Sequence, residues 1–482
     1  MNKRLIARLL GAILVIEALA MLPSLLVSLI YRDGDAVALL WSMACPLVLG
    51  LPAWFLIHPG PGNLKAREGF LVVTLAWCFL SVFGALPFVF SGVLPNFWDA
   101  LFESVSGFTT TGATVMSVFE GQPRGIMFWR SFTHWVGGMG VLVLTLALLP
   151  QLTGRTASLV RAESPGPSLS KLVPKMGDTA KILYSVYTAL TVLMFVALLL
   201  TGLSPYDAAI HALSTAGTGG FSNYGDSVGA FGSVPVEIVC TVFMILFSLN
   251  FALYYHALKG NWKEMLHSEE THWFLGIYGI FSIAIAIILV PYYHSLSQAL
   301  RYSTFNVASL MSTTGFGNAD FTLWPAAAQM LIFVLMFLGG CVGSTAGGIK
   351  TMRLILLLKM ARRDLSRTVR PRKVQIIRLE GKGVEDSTLN QTAVFFFVYI
   401  ATVLVGAIAL SFQGLYDVQS NLSAALTCVS NVGPGLGYIT PSLNFTGFTS
   451  YGKIVCSLLM LCGRLELYPI LLLFSREMRH KT

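Results

Sequence analysis

Charge is scarce in this chain. Only 11% of its 482 residues are Asp, Glu, Lys or Arg, against 55% hydrophobic residues and a mean hydropathy of +0.71. That composition leaves too little polar surface for a soluble globule of this size and points to an integral membrane protein. Patterned cysteine is lacking too: the seven, at 45, 78, 240, 341, 428, 456 and 462, form no CxxC pair and no metal-ligand spacing. This excludes a zinc module or a disulfide scaffold and leaves packing residues inside apolar segments. No Ser-His-Asp arrangement and no hydrolytic carboxylate pair is legible, so the chain reads as something other than an enzyme, with no bound organic cofactor.

Long hydrophobic runs are abundant. They fall near 5–31, 36–57, 70–93, 126–150, 181–203, 234–257, 273–293, 324–363, 390–413 and 450–474. A helix of roughly 20 residues crosses a hydrocarbon core, so the runs predict about ten spans. Met1, Asn2, Lys3 and Arg4 resemble a signal-peptide start, but the first apolar stretch is long and no small-residue cleavage site follows, so it reads as a retained helix.

The net charge of +9 would suggest nucleic acid in a soluble protein, yet the bases concentrate in alternate loops. Membrane proteins place such loops on the cytoplasmic side. Lys3, Arg4, Arg8, Lys65, Arg67, Arg155, Arg161, Lys171, Lys175, Lys259, Lys263, the Lys359 to Lys382 cluster, Arg476, Arg479 and Lys481 then share that side, with both termini, and no nucleic-acid partner is expected. The remaining loops carry Asp99, Glu103, Glu120, Asp207, Asp226, Asp320 and Asp417, which reads as an acidic outer mouth that concentrates cations.

Four polar segments with central glycines interrupt the runs. They are Thr110 to Thr114, Gly217 to Phe221, Thr313 to Gly317 and Asn431 to Gly435, with central glycines Gly112, Gly219, Gly315 and Gly433 lying 107, 96 and 118 residues apart (112→219→315→433). Before each lies a stretch too short and mixed to cross: 97–108, 206–216, 298–312 and 418–430. A helix of about 12 residues is roughly 18 Å long and suits a re-entrant half-helix ending at a glycine loop, a geometry tolerated at membrane depth only where it lines a cavity. The predicted fold class is thus an all-α membrane protein of four span, half-helix, filter loop, span units around one pore, after two N-terminal helices. The units read as 1–60 for the N-terminal pair, then 61–178, 179–268, 269–388 and 389–482.

Half-helices entering from outside aim their partly negative C-terminal ends at the membrane centre, which favours a cation there. Glycine lets successive carbonyls turn inward to replace an ion's hydration shell. Thr110, Thr111, Gly112, Thr218, Gly219, Thr314, Gly315, Asn431, Val432 and Gly433 are the candidate filter residues, with Thr111, Thr218 and Thr314 offering hydroxyls where Val432 has none. Glycines in apolar helices also permit close packing, but four matched loops behind four short half-helices favour the filter.

These residues carry a resemblance. The run Thr109 to Val115, the segments Ser214 to Ser222 and Ser312 to Gly317, and the glycine-rich 339–350 stretch resemble the Trk/Ktr/HKT superfamily of potassium transporters over essentially the whole chain. The two extra N-terminal helices and the length resemble its TrkH/TrkG branch more than the shorter KtrB one. The resemblance implies one filter glycine per repeat, potassium as the transported ion with looser rejection of rubidium and sodium, and a bacterial inner-membrane location. It further implies a homodimer with one pore per protomer and a cytosolic TrkA-type nucleotide-binding ring as regulator. A sodium-dependent or weakly selective Ktr-like transporter is the alternative within transport. A non-conducting regulatory membrane subunit is the rival outside it.

The run 324–363 is too long for one crossing and holds Gly339, Gly340, Gly343, Ser344, Thr345, Gly347 and Gly348, followed by Lys350. Each glycine costs a helix interior about 1 kcal/mol relative to alanine, so a break is predicted. In the resembled family this loop gates the pore beneath the filter, and here Ala346 replaces one of its glycines. The stretch also has a phosphate-loop look, but Ile349 separates Gly348 from Lys350 and no strand precedes it.

Arg464 sits in the last run. A charge at that depth is costly and marks a functional candidate; the resemblance places it in the pore as a barrier to cations. Pairing with Glu466 is the structural alternative, which i, i+2 geometry on a helix disfavours. The segment from His267 to His272 reads as a solvated loop rather than a metal site, and Trp129, Trp135 and Tyr254 as belt or core aromatics. The bases from Lys359 to Lys382 satisfy the cytoplasmic rule or dock anionic lipid or a cytosolic partner.

Overall fold

The computed structural model of the chain describes residues 2–58, 66–140, 176–370, 372, 375–439, 444–467 and 469–470. Helices α1 (Lys3–Ala20) and α2 (Leu22–Tyr31) are followed by α3 (Ala36–Phe55), which packs on α1 where Gly11 and Gly50 bring the two backbones together. Next come α4 (Ala66–Gly84), α5 (Leu86–Phe90), α6 (Phe97–Phe108) and α7 (Arg124–Gly138). Then follow α8 (Met176–Leu200), α9 (Pro205–Ala216), α10 (Val234–Ser248), α11 (Phe251–Leu258) and α12 (Trp262–His267). A third group holds α13 (Glu269–Tyr293), α14 (Leu296–Met311), α15 (Ala326–Leu335) and α16 (Thr351–Val369), and ends in a small antiparallel hairpin, β1 (Arg378–Leu379) with β2 (Lys382–Gly383). The last comprises α17 (Asp386–Ser411), α18 (Val418–Ser430) and α19 (Ser450–Arg464).

Short helices stand where the sequence predicts half-helices, because both of their ends are written locally. Asn96, Ser204, Ser295 and Asp417 each accept a hydrogen bond from a first-turn N–H of α6, α9, α14 and α18. Such caps satisfy N–H groups that the helix leaves without partners. The opposite ends run into the glycine loops.

The span reading is met in part by the described residues. Among the described residues six helices are long and apolar enough to cross a membrane, or seven if one bent pair is a single span. The run 126–150 leaves the described residues after 140, and the run 450–474 after 470. The run 324–363 is split as predicted: α15 ends at Leu335 and α16 starts at Thr351. The run 234–257 is also broken, unexpectedly. Helices α10 and α11 meet at 91°, with Leu249 extended and Asn250 capping α11. Neither Gly nor Pro marks that bend. Lys65, Arg155, Arg161, Lys171, Lys175, Lys373, Arg476, Arg479 and Lys481 lie outside the described residues.

The core surrounds the loops. Trp129 is buried and its indole N–H donates to the Gly84 carbonyl (3.0 Å), and the Tyr254 hydroxyl donates to the Leu246 carbonyl (2.7 Å), so both belong to the core. Cys240, Cys341, Cys428 and Cys456 are buried and free.

Candidate functional site

The four glycine loops share one backbone conformation. In each, an N–H reaches back five residues to the preceding short helix: Thr111 to the Ser106 carbonyl (2.9 Å), Gly219 to Ser214 (2.9 Å), Thr314 to Ser309 (2.8 Å) and Val432 to Thr427 (3.0 Å). The residue before is left-handed every time, with φ of 56° at Thr110, 53° at Thr218, 56° at Thr313 and 55° at Asn431. A left-handed glycine follows two residues later: Gly112 (78°), Gly220 (79°), Gly315 (81°) and Gly433 (96°).

This pattern corrects the second loop by one residue. Gly220, not Gly219, is the equivalent of Gly112, Gly315 and Gly433. Gly219 occupies the place of Thr111, Thr314 and Val432, and Thr218 that of Thr110, Thr313 and Asn431. Two adjacent glycines look alike in sequence, and only the sign of φ separates them.

The loops close on one another. A Cβ built on Gly112 would collide with the carbonyl oxygen of Gly219, on Gly220 with that of Thr314, on Gly315 with that of Val432, and on Gly433 with that of Thr111. Each left-handed glycine therefore backs directly onto a main-chain carbonyl of the next loop, and the fourth returns to the first. The four carbonyl residues are equivalent, so the ring is built from backbone. The same four glycines line one cavity of about 60 Å³, with Ala113, Phe221 and Pro434 beside them.

The predicted hydroxyls brace the loops. Thr111 Oγ1 meets Thr109 Oγ1 (2.8 Å) and accepts from the Asn431 amide (3.0 Å). Thr314 Oγ1 meets Ser312 Oγ (2.7 Å), and Thr218 Oγ1 donates to the Gly217 carbonyl (2.6 Å).

Charges hold the loops from behind, and sequence reasoning missed this. Glu103 on α6 and Arg130 on α7 are fully buried and paired at 2.6 Å. Glu103 also accepts the Thr114 hydroxyl (2.8 Å) and the Val115 N–H (3.0 Å), just past the first loop. Arg130 donates to the Ser222 carbonyl (2.9 Å) and lies over the Phe221 ring (3.5 Å), just past the second. Arg301 on α14 grips Glu237 on α10 with two bonds of 2.8 and 2.6 Å, and Lys453 on α19 pairs with Asp99 on α6 (2.7 Å). The missed signal was the presence of Arg130, Glu237 and Lys453 inside apolar runs, where a charge needs a partner.

The acidic mouth is corrected in part, at Glu103 and Asp99. Glu103 and Asp99 serve those pairs, while Asp320 and Asp417 cap Thr322 and Ser420. Glu120 does stay at the surface; accepting the Gly225 N–H (3.0 Å) holds its carboxyl below the usual carboxylate range.

Against the ring lies the 339–350 loop. Its stem is tied by Gly339 N–H to the Ile349 carbonyl (2.9 Å) and Thr351 Oγ1 to the Gly339 carbonyl (2.9 Å). Gly343 and Gly348 are left-handed, and the buried Ala346 packs its methyl against Gly340. Gly347 donates to Thr313 Oγ1 (2.7 Å) and rests on the Ser430 carbonyl. The loop's other side seats on the α10–α11 bend: Cys341 N–H donates to the Ser248 carbonyl (2.8 Å), Phe251 N–H to that of Gly343 (3.1 Å), and Thr345 Oγ1 to that of Phe247 (3.2 Å). Ser344 Oγ donates to the Cys341 carbonyl (2.6 Å), and the Lys350 ammonium turns back onto the Ala346 carbonyl.

Arg464 joins these parts. Its guanidinium donates to Thr110 Oγ1 (3.2 Å), the Thr345 carbonyl (2.9 Å), and the Gly137 and Gly138 carbonyls ending α7 (2.6 and 2.5 Å). A cation suits the partly negative end of a helix. Glu466 turns instead to Arg353 on α16 (2.5 Å). The 267–272 segment is corrected as well: Ser268, Glu270 and Thr271 are buried, and Ser268 caps α13.

Residues 40–276 and 277–481 match the family described as TrkH, cation transport protein. The chain is 36% identical over 483 residues to the Trk system potassium uptake protein TrkH of Escherichia coli K12, covering 98% of this chain and 99% of that protein. It is 32% identical over 482 residues to TrkG of the same strain, covering 98% of each. The crystal structure of the potassium transporter TrkH from Vibrio parahaemolyticus superposes with a TM-score of 0.90 at 33% identity, covering both chains fully.

Proposed function

This chain belongs to the TrkH family of cation transport proteins, and on that premise we propose that it takes up potassium across the bacterial inner membrane through the backbone ring of its four glycine loops. It is a multi-pass membrane transporter, not an enzyme. The observation that carries the reading is the closed cycle in which Gly112, Gly220, Gly315 and Gly433 each back onto a carbonyl of the next loop. A ring of main-chain carbonyls replaces water around a cation without any side chain that titrates or swings. Potassium is the cargo, with rubidium a close substitute, and both ends of the chain lie in the cytoplasm. Two copies of the chain associate, each with its own pore.

The 339–350 loop is the gate in this reading, and Arg464 is its pin. Hydrogen bonds from a charged group contribute about 1.5–3 kcal/mol each, so Arg464→Ala frees Thr345 and raises basal flux by about tenfold or more. Shortening the loop does the same, and the double change is less than additive because both act on one constriction. Rubidium uptake into liposomes holding the purified chain tests all of this. Absence of any rubidium flux from folded wild-type chain sinks the transport reading; unchanged or lower flux in both variants moves the gate elsewhere.

A cytosolic nucleotide-binding ring docks on the basic segment from Lys359 to Lys382 and regulates the gate. Regulation requires unequal affinity for open and closed states, so nucleotide changes flux only with that subunit present. An equal response from the isolated chain contradicts the assignment.

A further inference from the structure

Glu270 is a buried carboxylate in the first turn of α13, outside the ring and outside the gate loop. One of its oxygens, Oε1, accepts two main-chain N–H groups, from Val342 (2.8 Å) and from Met352 (3.0 Å). Val342 lies in the outgoing arm of the loop and Met352 in the first turn of α16, so one atom ties the two ends of the 339–350 segment together. At the Met352 end the carboxylate also serves a helix N-terminus, where negative charge is favoured.

That double bond is specific to the folded loop. Were residues 342–352 drawn into continuous helix, the two N–H groups would stand about 15 Å apart along the axis, beyond the reach of a single oxygen. Glu270 therefore binds one state of the loop and not the other, which is the condition for biasing an equilibrium.

Glu270 is itself held from the surface. Its N–H donates to Glu380 Oε1 (3.4 Å), which also accepts the Ser268 hydroxyl (3.1 Å), and the Glu380 N–H donates to Glu269 Oε2 (3.3 Å). Glu380 is exposed at the turn of the β1–β2 hairpin. Lys359 bridges the same elements, bonding Glu269 and the Arg378 carbonyl.

We propose that Glu270 is the positioning residue of the 339–350 loop, holding it folded, and that the β1–β2 hairpin acts on the loop through Glu380 and Glu270. This rests on the gate reading above, yet the two fail separately in the test. A variant keeping Cys341 as its sole cysteine, in the loop and buried, is reconstituted in liposomes; modification of Cys341 by a water-soluble maleimide reports loop opening, while rubidium uptake reports conduction. Glu270→Ala is expected to speed Cys341 modification and basal uptake by about tenfold or more. Glu270→Gln keeps an acceptor oxygen and stays within about threefold of the parent. Glu380→Ala, at an exposed site that does not endanger folding, speeds both by a smaller factor and adds nothing to Glu270→Ala.

Unchanged modification in folded Glu270→Ala overturns the positioning role. Faster modification with unchanged uptake upholds it and removes the loop as gate. Glu270→Gln behaving like Glu270→Ala overturns the hydrogen-bond basis, and additivity of the Glu270 and Glu380 changes overturns the route from the hairpin.

Discussion

Alanine at Gly220 is expected to cut conduction steeply, although the sequence alone makes Gly219 the residue to mutate. Gly220 sits at φ +79° with the Thr314 carbonyl on the side where its Cβ would go. The left-handed conformation costs an L-residue about 1–2 kcal/mol, and the collision adds to it because a main-chain carbonyl cannot rotate out of the way. Loop three cannot retreat either, since Gly315 backs onto Val432 and Gly433 onto Thr111. A shift in one loop is thus passed around the whole ring. We expect rubidium uptake to fall by about 100-fold, equivalent to about 2.7 kcal/mol at the barrier. The control is Gly121→Ala, a left-handed glycine (φ +80°) with open space around it, which bears the conformational cost without touching the ring. Uptake by Gly220→Ala equal to that of Gly121→Ala places Gly220 outside the conduction path.

Neutralising Arg130 as methionine is expected to cost about 3–5 kcal/mol of stability, because it leaves Glu103 buried without its counter-charge. Apolar replacement of both partners, Glu103→Leu with Arg130→Met, recovers much of that loss, since two buried charges then need no solvation. Conduction is not recovered with it. The pair also fastens Thr114, Val115 and Ser222, the residues that leave the first and second loops, and no apolar pair replaces those bonds. Thermal unfolding in detergent together with rubidium uptake separates the two effects. A double variant that is stable and conducts normally limits the pair to a packing role.

The four short helices were legible because their signals are local. A capping side chain opens each, a glycine loop closes each, and the apolar runs between them are continuous in the chain. The break in 324–363 was legible for the same reason, as crowded glycines disfavour helix wherever they fall. The α10–α11 bend carried no glycine or proline. Asn250, which caps α11, is the one local signal there, and the bend is held by the 339–350 loop, about 90 residues further on, through the Cys341 and Gly343 bonds.

Two members of the acidic mouth, Asp99 and Glu103, were misread for a related reason. Asp99 meets Lys453 across 354 residues and Glu103 meets Arg130 across 27, so two carboxylates read as outer-loop charges turned out to pair with bases on other helices.

By itself, then, the sequence determined the membrane environment, the helical class, the four short helices with their loops, and the resemblance that named the family, because composition, capping and glycine content act within a few residues. Tertiary structure alone decided that Gly220 rather than Gly219 completes the ring, that Arg130, Glu237 and Lys453 find partners on other helices, and that Glu270 ties the loop's ends. Those outcomes depend on which backbone carbonyl or carboxylate arrives from a distant segment, and on the handedness of a glycine, neither of which a one-dimensional pattern records.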